Sequence, residues 1–249
     1  MADSAWVRNP AAASAESGSS LRHTLLVRFT HWITALCVAA LLVSGVEIVI
    51  SHPRFYWGET GNVLTPALFQ LPIPASRASV QTGYGYVLPD QNGWSRALHF
   101  QSAWIVLFTG VLYLASGIRR RHFLKRLLPR PGDLAWRNLS TLLAGHLRLR
   151  LHTPQPGTYN TLQQLAYLAV IFGLFPLIIW TGLAMSPAFV SAFPAIVAVL
   201  GGHQSARTIH FFASIALCLF IAVHILMVFI SGFRTQLRAM ITGRAKEDS

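Results

Sequence analysis

Four continuously apolar runs, each long enough to cross a lipid bilayer, constrain the fold of this chain more than any other feature. They cover approximately residues 27–50, 97–118, 162–185 and 207–231. A helix needs about 20 residues to cross the hydrocarbon core, whereas a strand of a membrane barrel shows about ten residues of alternating polarity. Hydrophobic residues make up 53% of the chain and charged residues only 11%, too few to coat a soluble particle. We therefore predict an all-α, integral membrane four-helix bundle.

The distribution of basic residues predicts how these helices are oriented. The net charge is +12, and sixteen of the 20 lysines and arginines lie in the N-terminal segment, the second connection and the C-terminal tail. The first and third connections, with their helix ends, hold only Arg54, Arg77, Arg96 and Arg207. Because positive charge is retained in the cytoplasm, we expect a bacterial inner-membrane protein with cytoplasmic termini and two periplasmic connections. Basic residues beside membrane spans also indicate contact with lipid and not with nucleic acid.

The chain is expected to form one membrane domain, residues 21–245, behind a short leader. Residues 1–20 are rich in alanine and serine and lack an apolar stretch, which predicts a disordered cytoplasmic leader. Residues 51–95 form the first connection, a periplasmic loop with five prolines, repeated aromatic residues and four charged side chains. Such an apolar loop is suited to dock a partner protein, although an aromatic belt in the membrane interface would have the same composition.

Four histidines lie within the apolar runs or at their ends, where an ionisable side chain is costly and usually functional. They are His31, His99, His210 and His224, whereas the other six lie in connections. His210 and His224 are 14 residues apart, so they lie within about 40° of the same helix face and about 21 Å apart along the axis. The predicted topology puts His31 at the depth of His224 and His99 at the depth of His210. Two imidazoles at each depth predict two non-covalent, bis-histidine haem b groups.

Other residues near these histidines suit a porphyrin. Gly45 lies 14 residues after His31 and so presents a side-chain-free position at the depth of the predicted periplasmic haem. Arg28, Arg96 and Arg207 each lie three residues before a predicted ligand. A guanidinium group one turn closer to the surface could pair with a haem propionate, although snorkelling to the interface would also explain it.

Other interpretations stay open from the residues alone. A histidine in a membrane helix can hydrogen-bond to a neighbouring helix, and a small transporter could use such histidines to relay protons or bind metal. Zinc or copper would lack carboxylate and cysteine partners, because Glu47 lies at the far end of the first helix and Cys37 and Cys218 near mid-membrane. A single-haem protein is a further alternative. A transmembrane ferric reductase would need stacked histidine pairs on two helices, and only the fourth helix has one. No CxxCH motif for covalent haem occurs.

Several motifs together resemble bacterial di-haem cytochrome b subunits. They are the RxxHW element at Arg28 to Trp32, the histidine that opens the second helix, and the histidine pair on the fourth. The relatives are the gamma subunit of formate dehydrogenase, the b-type subunit of nickel-iron hydrogenase and the cytochrome b subunit of thiosulfate reductase. The resemblance covers about residues 20–245 and implies electron transfer between a quinone pool and a periplasmic redox enzyme.

The resemblance also implies where the substrates and partners of such a protein bind. The family carries a quinone near the cytoplasmic haem, and Asn160 and Gln163 at the start of the third helix match that region, with His224 as a candidate participant. Their amides could hydrogen-bond quinone carbonyls, whereas Asn160 could also simply cap the helix. A molybdopterin or iron–sulfur enzyme is the expected periplasmic partner. The chain alone is therefore expected to be a quinone-reactive electron-transfer subunit.

Overall fold

The computed structural model describes residues 23–62, 64–73, 80–81, 87–88, 93–119, 123, 127–147 and 161–243. Four of its helices are long and apolar enough to cross a membrane, which confirms the predicted all-α membrane bundle. The helices follow in the order α1 (Leu25–Ser51), α2 (Gly93–Arg119), α3 (Trp136–Leu147), α4 (Thr161–Ala184), α5 (Pro187–Ala192), α6 (Ala195–Ala198), α7 (His203–Ile230) and α8 (Phe233–Thr242). The membrane helices are α1, α2, α4 and α7.

Three of the membrane helices, α1, α2 and α7, begin before the apolar runs that predicted them. The Thr24 side chain caps α1 by accepting a hydrogen bond from the backbone N–H of Val27 at 3.4 Å. Helices α2 and α7 each start four residues earlier than the sequence predicted. Their first turns, before Ala97 and Arg207, are too polar for a hydropathy pattern to include them, although they continue the same helix.

Helix α4 contains a π-helical stretch, Val170–Leu174, in the middle of the membrane. The Phe175 N–H donates to the carbonyl of Val170, five residues earlier, in place of the usual four. Pro176 follows directly and has no N–H, so it cannot complete the regular ladder to the preceding turn. Pro176 therefore accounts for the π-helical stretch, which widens α4 where this helix faces α7.

The bundle is built from two helix pairs, because α1 packs chiefly on α2 and α4 on α7. The C-terminal helix α8 then packs back against the start of α1. Arg28 donates a hydrogen bond to the Ile241 carbonyl, and the Trp32 Nε1–H donates to the Met240 carbonyl at 3.2 Å. Both ends of the described chain thus lie on one face, here the terminal face. The opposite face, formed by the first and third connections, is the connection face.

The first connection contains two short antiparallel strand pairs that the sequence did not predict. Strand β1 (Arg54–Phe55) pairs with β2 (Phe69–Gln70), and β3 (Val80–Gln81) pairs with β4 (Val87–Leu88). Phe55 is only 1% exposed and packs between Phe69 and Phe211, with ring centres 4.7 and 4.4 Å away. The first half of this connection is therefore a packed cover over the start of α7.

The backbone of the first connection approaches α7 most closely at two glycines. The Gly58 carbonyl accepts a hydrogen bond from the Gln204 N–H at 3.0 Å, and the Gly58 N–H donates to the Ser205 hydroxyl at 2.8 Å. Gly202, with φ +113°, precedes α7, and a Cβ there would lie 2.5 Å from the Gly58 carbonyl carbon. Only glycine fits both the backbone conformation and this separation.

The third connection packs α5 and α6 beneath this cover. A small apolar core joins the end of α4 to the start of α7, formed by Ala184, Val197, Leu200 and Ala206. On the other face, α3 follows a short 3-10 turn, Pro131–Leu134, and exposes 80% of Trp136. The predicted leader, residues 1–20, lies outside the described residues.

Candidate haem-binding sites

Two of the predicted histidines meet near the connection face. His99 lies in the second turn of α2 and His210 in the third turn of α7, so both reach the same depth from adjacent helix starts. Their ring centres are 6.2 Å apart, and the ring planes make an angle of 62°. The structure therefore brings together the two histidines that the topology paired.

The other two histidines meet near the terminal face. His31 lies in the second turn of α1 and His224 toward the end of α7. Their ring centres are 6.5 Å apart, with an angle of 52° between the planes. All four histidines are thus used once, in two pairs separated along α7 by 14 residues.

Both ring separations fit a metal ion held by two axial imidazoles. Metal–imidazole bonds are about 2.0–2.1 Å long, so two imidazoles that share one iron ion hold their ring centres about 6.5 Å apart. Among the described residues, no group of three or more histidine, cysteine or acidic side chains could hold a metal ion by itself. A planar macrocycle that supplies the remaining ligands, as haem does, therefore suits these pairs better than a bare zinc ion.

A hydroxyl and a glycine from the neighbouring helix accompany each histidine of the connection-face pair. On α1, the Ser44 Oγ lies 3.0 Å from the His99 Nδ1 atom, and the position of a Cβ on Gly45 lies 3.6 Å from the His99 ring. On α4, the Thr181 Oγ1 lies 2.9 Å from the His210 Nδ1 atom, and a Cβ on Gly182 would lie 3.6 Å from that ring. The two helix pairs thus repeat one local arrangement.

Sequence reasoning found Gly45 but missed Ser44, Thr181 and Gly182. Serine and threonine are common in membrane helices, where they usually bond their own backbone, so a single hydroxyl carries no signal. A signal was present in the dipeptide: a hydroxyl residue followed directly by glycine occurs near the connection-face end of both α1 and α4.

The terminal-face pair has different surroundings. The Nδ1 atom of His31 is buried and has no hydrogen-bond partner in the described part of the chain. His31 contacts Trp32 edge to face, with ring centres 5.3 Å apart, and His224 stacks on Phe220 at 6.0 Å with 19° between the planes. Among the described residues, aromatic contacts therefore surround both rings of this pair.

The arginines beside the histidines make contacts that the sequence did not predict. Arg28 donates to the Ile241 carbonyl at the end of α8, where a positive charge also complements the helix dipole. Arg207 donates to the carbonyls of His52 and Arg54 and lies over the Phe55 ring, 4.8 Å from its centre. Arg28 therefore links α1 to α8, and Arg207 links α7 to the first connection. Pairing of Arg28, Arg96 or Arg207 with a haem propionate stays a prediction.

An apolar groove lies on the surface of the bundle between α4 and α7. Its volume is about 710 Å³, and α4 and α7 line it with Ala169, Gly173, Leu177, Trp180, Ala216 and Phe220. Phe220 is the residue that stacks on His224, and its other neighbour is Tyr167, with ring centres 6.4 Å apart. Gln163 lies in the first turn of α4, whereas Asn160 lies outside the described residues.

Four membrane helices with facing histidine pairs are typical of the integral membrane haem proteins that transfer electrons. Residues 22–243 match the prokaryotic cytochrome b561 family, and the chain belongs to this family. Its members bind haem b, which favours electron transfer over the alternative of a non-redox transporter. The match confirms the resemblance to bacterial cytochrome b subunits.

A curated relative comes from Azospira oryzae and bears the name putative protein-methionine-sulfoxide reductase subunit YedZ1. It is 29% identical to this chain over 206 residues, which cover 83% of this chain and 89% of the relative. No solved structure matches the chain significantly.

Proposed function

We propose that this chain is a di-haem cytochrome b that passes electrons between a quinone pool and a redox enzyme outside the cytoplasmic membrane. His99 and His210 hold one haem b, and His31 and His224 hold the other. The observation that carries the proposal is the separation of the ring centres, 6.2 and 6.5 Å, which fits two imidazoles on one iron ion at both depths.

In this function, the polypeptide positions the haem groups and excludes water from them. Haem, when bound, supplies a one-electron carrier at each depth. At each depth the two imidazoles would both bind the iron, which would leave no site there for a small molecule to bind it. Helix α7 carries one ligand of each pair and so fixes the distance between the two depths, about 21 Å along its axis.

The quinone is proposed to reach the terminal-face pair through the apolar groove. A groove lined by α4 and α7 is open toward lipid and suits an isoprenoid chain, while Phe220 forms a stacking contact between the groove and His224. Gln163, in the first turn of α4, and Asn160, which precedes α4 in the sequence and lies outside the described residues, are the candidate hydrogen-bond donors to the quinone carbonyls. This arrangement supports quinone chemistry at the terminal face.

The partner is proposed to dock on the connection face. Large apolar side chains are exposed there, including Trp57, Leu64, Leu68 and Trp94, with Leu64 90% exposed. An exposed apolar patch with aromatic residues is typical of a protein interface. The name of the Azospira relative, a reductase subunit, supports a redox enzyme as the partner. A molybdopterin or iron–sulfur enzyme remains the class that we propose.

The orientation follows from charge. Sixteen of the 20 basic residues belong to the N-terminal segment, the second connection and the C-terminal tail, whose described parts lie on the terminal face. This face is therefore proposed to be cytoplasmic in a bacterial inner membrane. The connection face and its partner are then periplasmic. Electrons cross the membrane between the two histidine pairs.

The haem content of histidine variants tests this proposal. The purified chain is expected to show b-type bands in a reduced-minus-oxidised spectrum and to contain two haems per polypeptide. His99→Ala and His31→Ala are each expected to halve that content, because each removes one axial ligand from one pair. His203→Ala is the matched control, since His203 lies on α7 but contacts Glu59 at 3.4 Å and no other histidine in the described chain.

Two results would contradict the proposal. Absence of b-type bands from the parent protein would exclude haem binding altogether. An unchanged haem content in His99→Ala would overturn the assignment of a haem to the His99/His210 pair.

A further inference from the structure

The hydroxyls of Ser44 and Thr181 make the two histidine pairs chemically unequal. The Ser44 Oγ lies 2.7 Å from the Ala40 carbonyl, and the Thr181 Oγ1 lies 2.7 Å from the Leu177 carbonyl. A carbonyl oxygen can only accept, so each hydroxyl donates its proton to its own helix. At the histidines, the same oxygens can then only accept.

This direction of hydrogen bonding determines the tautomer of both imidazoles. Because Ser44 and Thr181 accept, the Nδ1 atoms of His99 and His210 carry the proton, at 3.0 and 2.9 Å from the hydroxyl oxygens. The Nε2 atoms are then unprotonated and available to a metal ion. A hydrogen bond from the far N–H of a metal-bound histidine fixes its orientation and increases its basicity.

The terminal-face pair lacks these contacts in the described part of the chain. The His31 Nδ1 atom is buried without a hydrogen-bond partner among the described residues, and His224 contacts the rings of Phe220 and His31. Gly45 and Gly182 each follow a hydroxyl residue and leave room for the ring it contacts. The arrangement at the connection face is therefore repeated on two helices, and it is specific to that pair.

We propose that Ser44 and Thr181 are positioning residues that lower the reduction potential of the haem held by His99 and His210 relative to the other haem. The inference rests on the proposed function, because it takes the two pairs as haem ligands. More basic imidazoles donate more electron density and favour oxidised iron, which is one of the ways in which a protein sets a haem potential. The His31/His224 pair would then hold the haem of higher potential.

Potentiometric titration of the purified di-haem protein tests this inference. Ser44→Ala and Thr181→Val are each expected to raise the lower of the two midpoint potentials and leave the higher one in place. The double variant is expected to shift it further in the same direction. Ser44→Thr and Thr181→Ser keep an acceptor oxygen and are expected to retain the parent potentials.

Thr109→Ala is the matched control for loss of a membrane hydroxyl. Thr109 lies on α2 and donates to its own helix, to the Ile105 carbonyl at 2.6 Å, but contacts no histidine in the described chain. Its removal is expected to leave both potentials unchanged. The electron paramagnetic resonance signal of the oxidised low-spin haems gives a second measurement, because a changed ring orientation shifts one of two signals.

The outcomes separate this inference from the proposed function. Two haems with unchanged potentials and signals in the double variant would overturn the role of the hydroxyls and leave the ligand assignment intact. A shift of the higher potential would overturn the assignment of the hydroxyls to the low-potential haem. If Ser44→Ala loses haem, then Ser44→Thr must restore both the content and the potential, and failure to do so would also overturn the inference.

Discussion

Gly45 and Gly182 leave the space in which the rings of His99 and His210 lie. A Cβ at either position would be 3.6 Å from the nearest ring atom, which is an ordinary van der Waals contact. A single methyl group is therefore tolerated, whereas a longer side chain would have to occupy the volume of the ring itself.

At Gly45, this space predicts a dependence on side-chain size. Gly45→Ala is expected to retain both haems, and Gly45→Leu to lose one, because leucine displaces the His99 ring from its partner. The ratio of haem to protein, measured from the absorbance of the extracted haem, distinguishes the variants. Gly110→Leu is the control, since a Cβ there meets no atom within 4 Å. Retention of two haems in Gly45→Leu would refute the argument.

The sequence was sufficient to select the four histidines, because a titratable group inside a bilayer is rare enough to be informative. It was not sufficient to find Ser44 and Thr181. Their importance depends on which helix lies opposite, and hydropathy gives the depth of a residue but not the neighbour that it faces. For the same reason, the contacts of Arg28 and Arg207 with backbone carbonyls could not be predicted.

At the scale of elements, the first connection is attached to the start of α7 through a tight backbone contact. Gly202 adopts φ +113°, and its Cα approaches the Gly58 carbonyl so closely that a Cβ would lie 2.5 Å from it. Ser205 and Thr208 add hydrogen bonds to Gly58 and to the Tyr56 carbonyl, at 2.8 and 2.7 Å. This attachment fixes the first connection to the first two turns of α7, the helix that carries His210.

Gly202→Ala is expected to destabilise the protein more than Gly232→Ala. Each substitution places alanine at positive φ, with a cost of about 1–3 kcal/mol, but Gly232, at φ +95°, has no atom within 4 Å of a Cβ. The additional loss in Gly202→Ala comes from the contact with Gly58. Thermal unfolding in detergent measures the stability of both variants. Equal midpoint temperatures would show that the close approach of Gly202 to Gly58 adds nothing to the destabilisation.

The elements themselves were predictable to different degrees. The membrane helices were recovered because a long apolar run has one stable conformation in lipid. The π-helical stretch before Pro176 was missed because one extra backbone residue in a turn does not change the hydropathy pattern. The two short strand pairs were missed because a two-residue strand has no periodicity to detect. The aromatic composition of residues 51–95 predicted docking, but Phe55 is used internally.

At the scale of the whole molecule, the pairing of histidines follows from topology alone. Consecutive membrane helices run in opposite directions, so four of them put both ends of the bundle on one face. The depth of each histidine is then set by the face at which its helix starts and by its distance along that helix. Contacts of α8 with the start of α1 put both described ends on one face, in agreement with this count. Which face is cytoplasmic depends on charge and the insertion machinery, and the fold is the same in either orientation.

Labelling of introduced cysteines in intact bacterial cells tests the orientation. Thr60 and Thr235 are both exposed, the first on the connection face and the second on the terminal face. If positive charge retains the terminal face in the cytoplasm, then a membrane-impermeant maleimide labels Thr60→Cys in intact cells and Thr235→Cys only after the inner membrane is permeabilised. The parent protein measures the background from its own cysteines, of which Cys37 is buried and Cys218 is exposed on the surface of the membrane helix α7. Labelling of Thr235→Cys in intact cells would place the proposed partner-docking surface in the cytoplasm.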